Sequence, residues 1–360
     1  MKDLKIVRLI GTCWIIGILL ISCSREQTAD QRATDLGNQY LADSGISGLV
    51  ISVGKSGNIV WSKGFGFADV EQLVPSDPAL TKYRVGSTAK SMTAMAVGQL
   101  YESGRLDLDA PIQQYVPGFP EKESVITTRM LAGHLAGIRH YKDGEFFSDV
   151  AYESVTHALS IFADDPVEVT PRSEFLYSTY GFNLISAVVE GAAEQDFLDY
   201  MSINVFEPTG MKRTTADKVR PIISHRSRYY TQDGGDLVNT PWVDNSNKWA
   251  GGGFLSTSED LVNFGFAHLS DEHLKKETIE MMWTSQKTLT GEETGYGIGW
   301  RIGSDEKGRR VISHGGGSVG GITALRIYPG ENVVVAIITN TSPADLTPLS
   351  DQIAEIFLNE

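Results

Sequence analysis

Cysteine is nearly absent: the 360-residue chain has two, Cys13 and Cys23. Neither lies in the body of the sequence, so no disulfide framework is expected and the fold must rest on an apolar core. Basic residues are outnumbered by acidic ones, 31 against 45, for a net charge of −14. Phosphate contacts need clustered Lys and Arg, and no such cluster exists, so nucleic acid is excluded as a partner. Long apolar runs are also missing. The longest, Leu9 to Ile21, is shorter than the roughly 20 residues a spanning helix needs. There is no internal repeat, no low-complexity tract and no His or Cys spacing of a zinc site; His134 and His140 read as structural, and no metal or cofactor is expected.

The short apolar run follows Lys2, Lys5 and Arg8 and ends at Leu20-Ile21-Ser22-Cys23. This is the layout of a secretory signal, and its last four residues resemble a bacterial lipobox. The expectation is a signal peptide over 1–22, lipidation at Cys23, and a tether over 23–35. The mature protein would then face the periplasm as a cell-envelope lipoprotein, held to the membrane by its N-terminal lipid. An ordinary signal peptide or a short anchor is the competing reading.

Leu36, Tyr40 and Leu41 recur at helical spacing before Gly45, and Leu49, Ile51 and Val53 then alternate up to a turn at 55–58. At the other end, Ala324–Tyr328 and Val333–Ile338 flank the turn 329–332, and Leu346, Leu349, Ile353, Ile356 and Phe357 define a final amphipathic helix. Between them the patterns are mostly helical, as over 182–193 and 197–206. The expected fold is α+β: one antiparallel sheet built from both chain ends and covered by terminal helices, with a helical lobe inserted. In residue terms, 36–108 plus 250–360 form an α/β lobe and 109–249 a mostly helical lobe.

Two serine signatures compete for the chemistry. Ser87-Thr88-Ala89-Lys90 is weak alone, since composition gives about one Ser-x-x-Lys per chain of this length; Ser304 to Lys307 is a second copy, in a charged turn. Ser87, however, opens an apolar helix carrying Met92, Met95, Ala96 and Leu100. A serine there could simply cap the helix. A capping serine does not need a lysine one turn later on an apolar helix, where burial lowers the amine pKa and makes it a base for the Ser hydroxyl. The rival, Gly316-Gly317-Ser318-Val319-Gly320, overlaps a His314-Gly315-Gly316-Gly317 run. In α/β-hydrolases these two pieces lie on separate loops and the histidine follows the serine. Here His314 is the last histidine, which sets Ser318 aside.

Acyl transfer at Ser87 also needs a second proton shuttle and oxyanion donors. Tyr177-Ser178-Thr179, heading a helix, offers the first, and the strand edge His314 to Gly317 the second. These three elements in this order resemble the penicillin-recognising serine hydrolases: class C β-lactamases, D-Ala-D-Ala carboxypeptidases and related esterases. Residues 115–123, 127–141, 175–182, 237–257 and 313–321 are similar in particular to the mitochondrial serine β-lactamase-like branch and its bacterial relatives, over about 35–360. The resemblance implies that Ser87 is acylated, Lys90 accepts its proton and Tyr177 relays protons. It implies further that His314 stands for a substrate-facing lysine, and that the N–H groups of Ser87 and Gly317 form the oxyanion hole. Thr179, Gly315, Gly316 and Gly252 would contact substrate, although 249–253 reads equally well as a tight helix-to-strand turn. The substrate would be a small peptide, an ester or a lactam. Thr179 replaces an Asn of the β-lactamases and His314 a Lys, so peptide or ester hydrolysis is expected ahead of penicillin hydrolysis. Self-association, with or without a working site, is a further implication of the resemblance.

Overall fold

The computed structural model describes residues 27–359. Cys23 and the expected signal segment lie outside the described residues. The first element, α1 (Ala29–Ser44), starts seven residues before the expected Leu36, inside what reads as tether. The reason is a capping box: the Thr28 hydroxyl accepts the Gln31 N–H while the Gln31 side chain accepts the Thr28 N–H. Ala29 and Ala33 are buried, and Gly37 lets the helix lie directly on the Phe65 ring.

The sheet has seven strands. The N-terminal part gives β1 (Gly48–Lys55), β2 (Asn58–Asp69) and the short β3 (Val74–Pro75). The C-terminal part gives β4 (Arg301–Ser304), β5 (Arg310–Ser318), β6 (Gly321–Tyr328) and β7 (Val333–Thr339). Their order is β3-β2-β1-β7-β6-β5-β4, so the two chain ends meet at the centre, where β1 runs antiparallel to β7 with Val53 opposite Val335.

Alternation sends successive β7 residues to opposite faces. Val333, Val335 and Ile337 join Leu49, Ile51 and Val53 in a core under α1 and the last helix, Thr347–Leu358; Val334, Ala336 and Ile338 join Val50 in the core shared with the helical part. Three helices of that second core place the site: α2 (Ala89–Glu102), α3 (Thr179–Ala193) and α4 (Trp249–Gly252). The middle of the chain also holds a hairpin, Tyr230–Asp233 with Asp236–Asn239, turned by Gly234 and Gly235 at positive φ. The mostly helical reading of 109–249 passed over this Asp-Gly-Gly-Asp turn, a hairpin signal flanked by strands too short to show alternation.

Candidate active site

Ser87 lies in a single 3-10 turn, Gly86–Thr88, ahead of α2, and makes no cap. The turn is pinned by glycine. Gly86 has φ +50°, and a Cβ there would stand 2.7 Å from the Gly317 backbone; a Cβ on Gly316 would stand 1.9 Å from the Val85 carbonyl oxygen. Strand β5 therefore lies backbone-to-backbone against the nucleophile turn, which only residues lacking Cβ permit. Gly315 and Gly317 are exposed along this edge while Gly316 is buried. Gly252 is buried, and a Cβ on it would stand 3.6 Å from the Gly86 backbone, an ordinary contact.

Lys90 is wholly buried, with Nζ 3.2 Å from Ser87 Oγ, 3.1 Å from Thr179 Oγ1 and 2.7 Å from the Gly251 carbonyl oxygen. All three neighbours are neutral oxygens. Burial, and then the charges of Lys248 and Arg301, hold the amine well below the ordinary lysine range. A neutral amine has two hydrogens and one lone pair. Donation to Gly251 and Thr179 uses both hydrogens and leaves the lone pair facing Ser87. Thr179 is thus buried beneath Lys90 and not presented to substrate, a correction to the expectation from the second motif.

Tyr177 is partly exposed at the rim, with Lys90 Nζ 4.9 Å from its ring centre. Burial pushes its phenol up to about 12, while the neighbouring Ser87 hydroxyl and the Arg301 charge act the other way. At pH 7 it is a phenol, able to donate a proton next to the nucleophile.

His314 departs from its expected place. Its ring is buried, with Nδ1 2.6 Å from the Gly315 carbonyl oxygen and Nε2 2.8 Å from the Tyr296 hydroxyl. The carbonyl can only accept, so Nδ1 carries the hydrogen and Tyr296 donates to Nε2. Burial, then Lys90, push the imidazole down to about 3. It is neutral, occupied on both sides and turned inward, because β5 alternation points His314 the same way as buried Gly316. The cation at this edge is Arg301, opposite Ser313 on β4, with its guanidinium carbon 5.9 Å from the ring centres of both Tyr177 and Tyr296. It is exposed and, among the described residues, makes no ion pair. Sequence reasoning missed Arg301 and Tyr296, since neither belongs to a motif and β4 is too short to read.

The rival sites do not assemble. Ser318 ends β5 at a tight turn and is buried, with no helix following it. Lys307 is exposed and paired with Glu355 on the surface, where nothing desolvates its amine.

Comparison with known proteins matches the Beta-lactamase family over residues 33–357. The mitochondrial serine beta-lactamase-like protein LACTB of Homo sapiens is 34% identical, over 92% of this chain and 80% of its own length. Penicillin-binding protein 4* of Bacillus subtilis is 26% identical over 82% of this chain and 68% of its own. Among solved structures, the octameric penicillin-binding protein homologue from Pyrococcus abyssi superposes with a TM-score of 0.79 at 26% identity, covering 91% of this chain and 77% of that one. The D-amino acid amidase from Ochrobactrum anthropi SV3 shares the fold, with a TM-score of 0.80 at 21% identity over 92% of this chain and 98% of that one. With its α+β fold, the chain belongs to the Beta-lactamase family of serine hydrolases.

Proposed function

We propose that this protein is an exported serine hydrolase that cleaves small peptide, amide or ester substrates bearing a free carboxylate, through an acyl-enzyme on Ser87. The observation that carries the reading is the setting of Lys90: fully buried, touching only neutral oxygens, 3.2 Å from Ser87 Oγ. An amine kept neutral this way takes the Ser87 proton as Oγ bonds to the substrate carbonyl carbon. The N–H groups of Ser87 and Gly317 receive the developing oxyanion. Tyr177 passes a proton to the leaving group as the scissile bond breaks and is reprotonated by Lys90, which returns to the neutral amine. Water then enters and bonds to the acyl carbon while its proton passes to the neutral Lys90–Tyr177 pair, and that proton returns to Ser87 Oγ as the ester bond breaks, releasing the acid and free Ser87. Arg301, and not His314, takes the substrate carboxylate at the open edge. With Thr179 turned to Lys90, the second motif offers no side-chain amide to a β-lactam, so a chromogenic cephalosporin is expected to be a poor substrate.

The test is intact-mass measurement after exposure to a fluorophosphonate. One adduct is expected on the wild type and none on Ser87→Ala; labelling of the variant would end this assignment. Export and lipidation at Cys23 belong to the same reading: growth with a labelled fatty acid should tag the wild type but not Cys23→Ala, and equal tagging would refute it. The octameric relative from Pyrococcus abyssi supports self-association, for which light scattering should give a mass above that of one chain.

A further inference from the structure

Tyr177 must keep its phenol against Ser87 although it stands at the end of a loop, immediately before the first turn of α3. That first turn has N–H groups without helical partners, and two imidazoles take them. The Ser178 N–H donates to His134 Nδ1 and the Thr179 N–H to His140 Nδ1, both at 3.2 Å. The same strap of chain makes two more bonds. The Leu176 N–H donates to the His134 carbonyl at 2.8 Å, and Ser178 Oγ donates to the Arg139 carbonyl at 2.6 Å. The two rings also enclose the tyrosine. His134 lies at 4.2 Å between ring centres, tilted by 40°, and His140 meets Tyr177 edge-on at 5.7 Å and 80°. His134 holds its place with φ +59°, a left-handed conformation that costs a non-glycine residue on the order of 1 kcal/mol or more and persists only where the surroundings impose it.

We infer that His134 and His140 are positioning residues, a paired acceptor clamp that fixes the Tyr177 phenol by holding the two N–H groups that follow it. The inference rests on Tyr177 being the proton relay proposed above. An acceptor at Nδ1 requires the neutral Nε2–H tautomer, since imidazolium has only donors. Lys90 and Lys248 favour it at His140, against Glu145, and Lys90 and Arg301 favour it at His134. His140 faces Lys90, Glu145 and Lys248, with Tyr141 and Tyr177 beside it; His134 faces Lys90, His314, Arg301 and His140. Burial first and Lys90 second hold His134 well below the ordinary histidine range and His140 down to about 4. The clamp is therefore closed across neutral and mildly acidic pH and opens as His140 protonates near pH 4.

Two measurements test this. In the wild type, nitrogen-15 imidazole spectra should show His140 as the Nε2–H tautomer with no titration above pH 5; an Nδ1–H tautomer or a midpoint near 6.5 would overturn the clamp, whether or not the protein has activity. Secondly, fluorophosphonate acylation is followed against pH. Protonation of Lys90 gives the wild type a limb of slope one, steepening to two below about pH 4. In His140→Asn, whose carbonyl oxygen can still accept the Thr179 N–H, the rate should stay within about threefold and the slope remain one. In His140→Phe, which keeps a ring without an acceptor, the limiting rate should fall about tenfold with reagent affinity unchanged, because misplacing a reacting group by an ångström costs up to about 10². Wild-type rates in His140→Phe, or a slope of two retained in His140→Asn, would refute the inference. A wild type that is not acylated at all would instead refute the proposed function.

Discussion

The two faces of the sheet differ in what they bury. Under the terminal helices, β1 and β7 contribute Leu49, Ile51, Val53, Val333, Val335 and Ile337, joined by Ile353 and Phe357, and this core is almost purely apolar. Across the sheet, the larger core surrounds Lys90, His134, Thr179, Lys248 and His314, all buried. Burying an apolar side chain stabilises by about 1.5–3 kcal/mol, whereas burying an ionisable group costs free energy unless it discharges or is partnered. Both faces bury apolar surface, but only the larger core also bears the cost of keeping Lys90 and the imidazoles of His134 and His314 neutral. Lys248 shows that the degree of depression is set residue by residue. It lies over the Tyr141 and Phe146 rings, donates to the Phe146 carbonyl, and falls only to about 8, through burial and then Arg84.

This contrast can be broken from either side. The largest effect is expected on the polar face: Lys90→Met should lower acylation by about 10²–10⁴, the usual worth of a positioned base. Its melting temperature should be unchanged or higher, since no buried amine remains to be desolvated. The pH dependence follows. Between the depressed folded pKa and the ordinary 10.5 the unfolded chain binds a proton that the folded chain does not. Wild-type stability should thus climb from neutral pH toward 10, and Lys90→Met should climb less; equal slopes in a denaturation series would contradict a discharged Lys90. On the apolar face, Ile337→Ala should cost about 2–5 kcal/mol in urea denaturation while the acylation rate of the folded fraction stays at the wild-type value. Arg301→Gln should raise KM about tenfold for a carboxylate-bearing substrate, with little change in kcat or for a neutral ester; an equal change for both substrates would remove Arg301 from recognition. Thr28→Ala, which opens the capping box of α1, should cost about 1 kcal/mol.

The same contrast governs what the sequence discloses. The apolar face is written in alternation and in 3- and 4-residue steps, so the strands near 49–53 and 333–338 and the final helix are legible from residue type alone. The polar face is legible only where chemistry forces a motif. Ser87, Lys90, Tyr177 and Gly317 carry such patterns. The inward turn of His314 depends on the register of β5 against β6, with His314 opposite Leu325, which no local pattern records. Arg301 reaches the cleft through a four-residue strand, and Thr179 meets Lys90 only by tertiary packing. The early start of α1 was readable in principle, since Thr28 and Gln31 have the capping-box spacing.

The contact of Gly86 with Gly317 joins segments made far apart in time as well as in sequence. A ribosome completes the nucleophile turn more than two hundred residues before it reaches the strand that must lie against it. Until β5 lies between β4 and β6, the turn that carries Ser87 has no strand edge against it. On the function proposed above, the nascent polypeptide would be chemically silent until the C-terminal strands close the sheet.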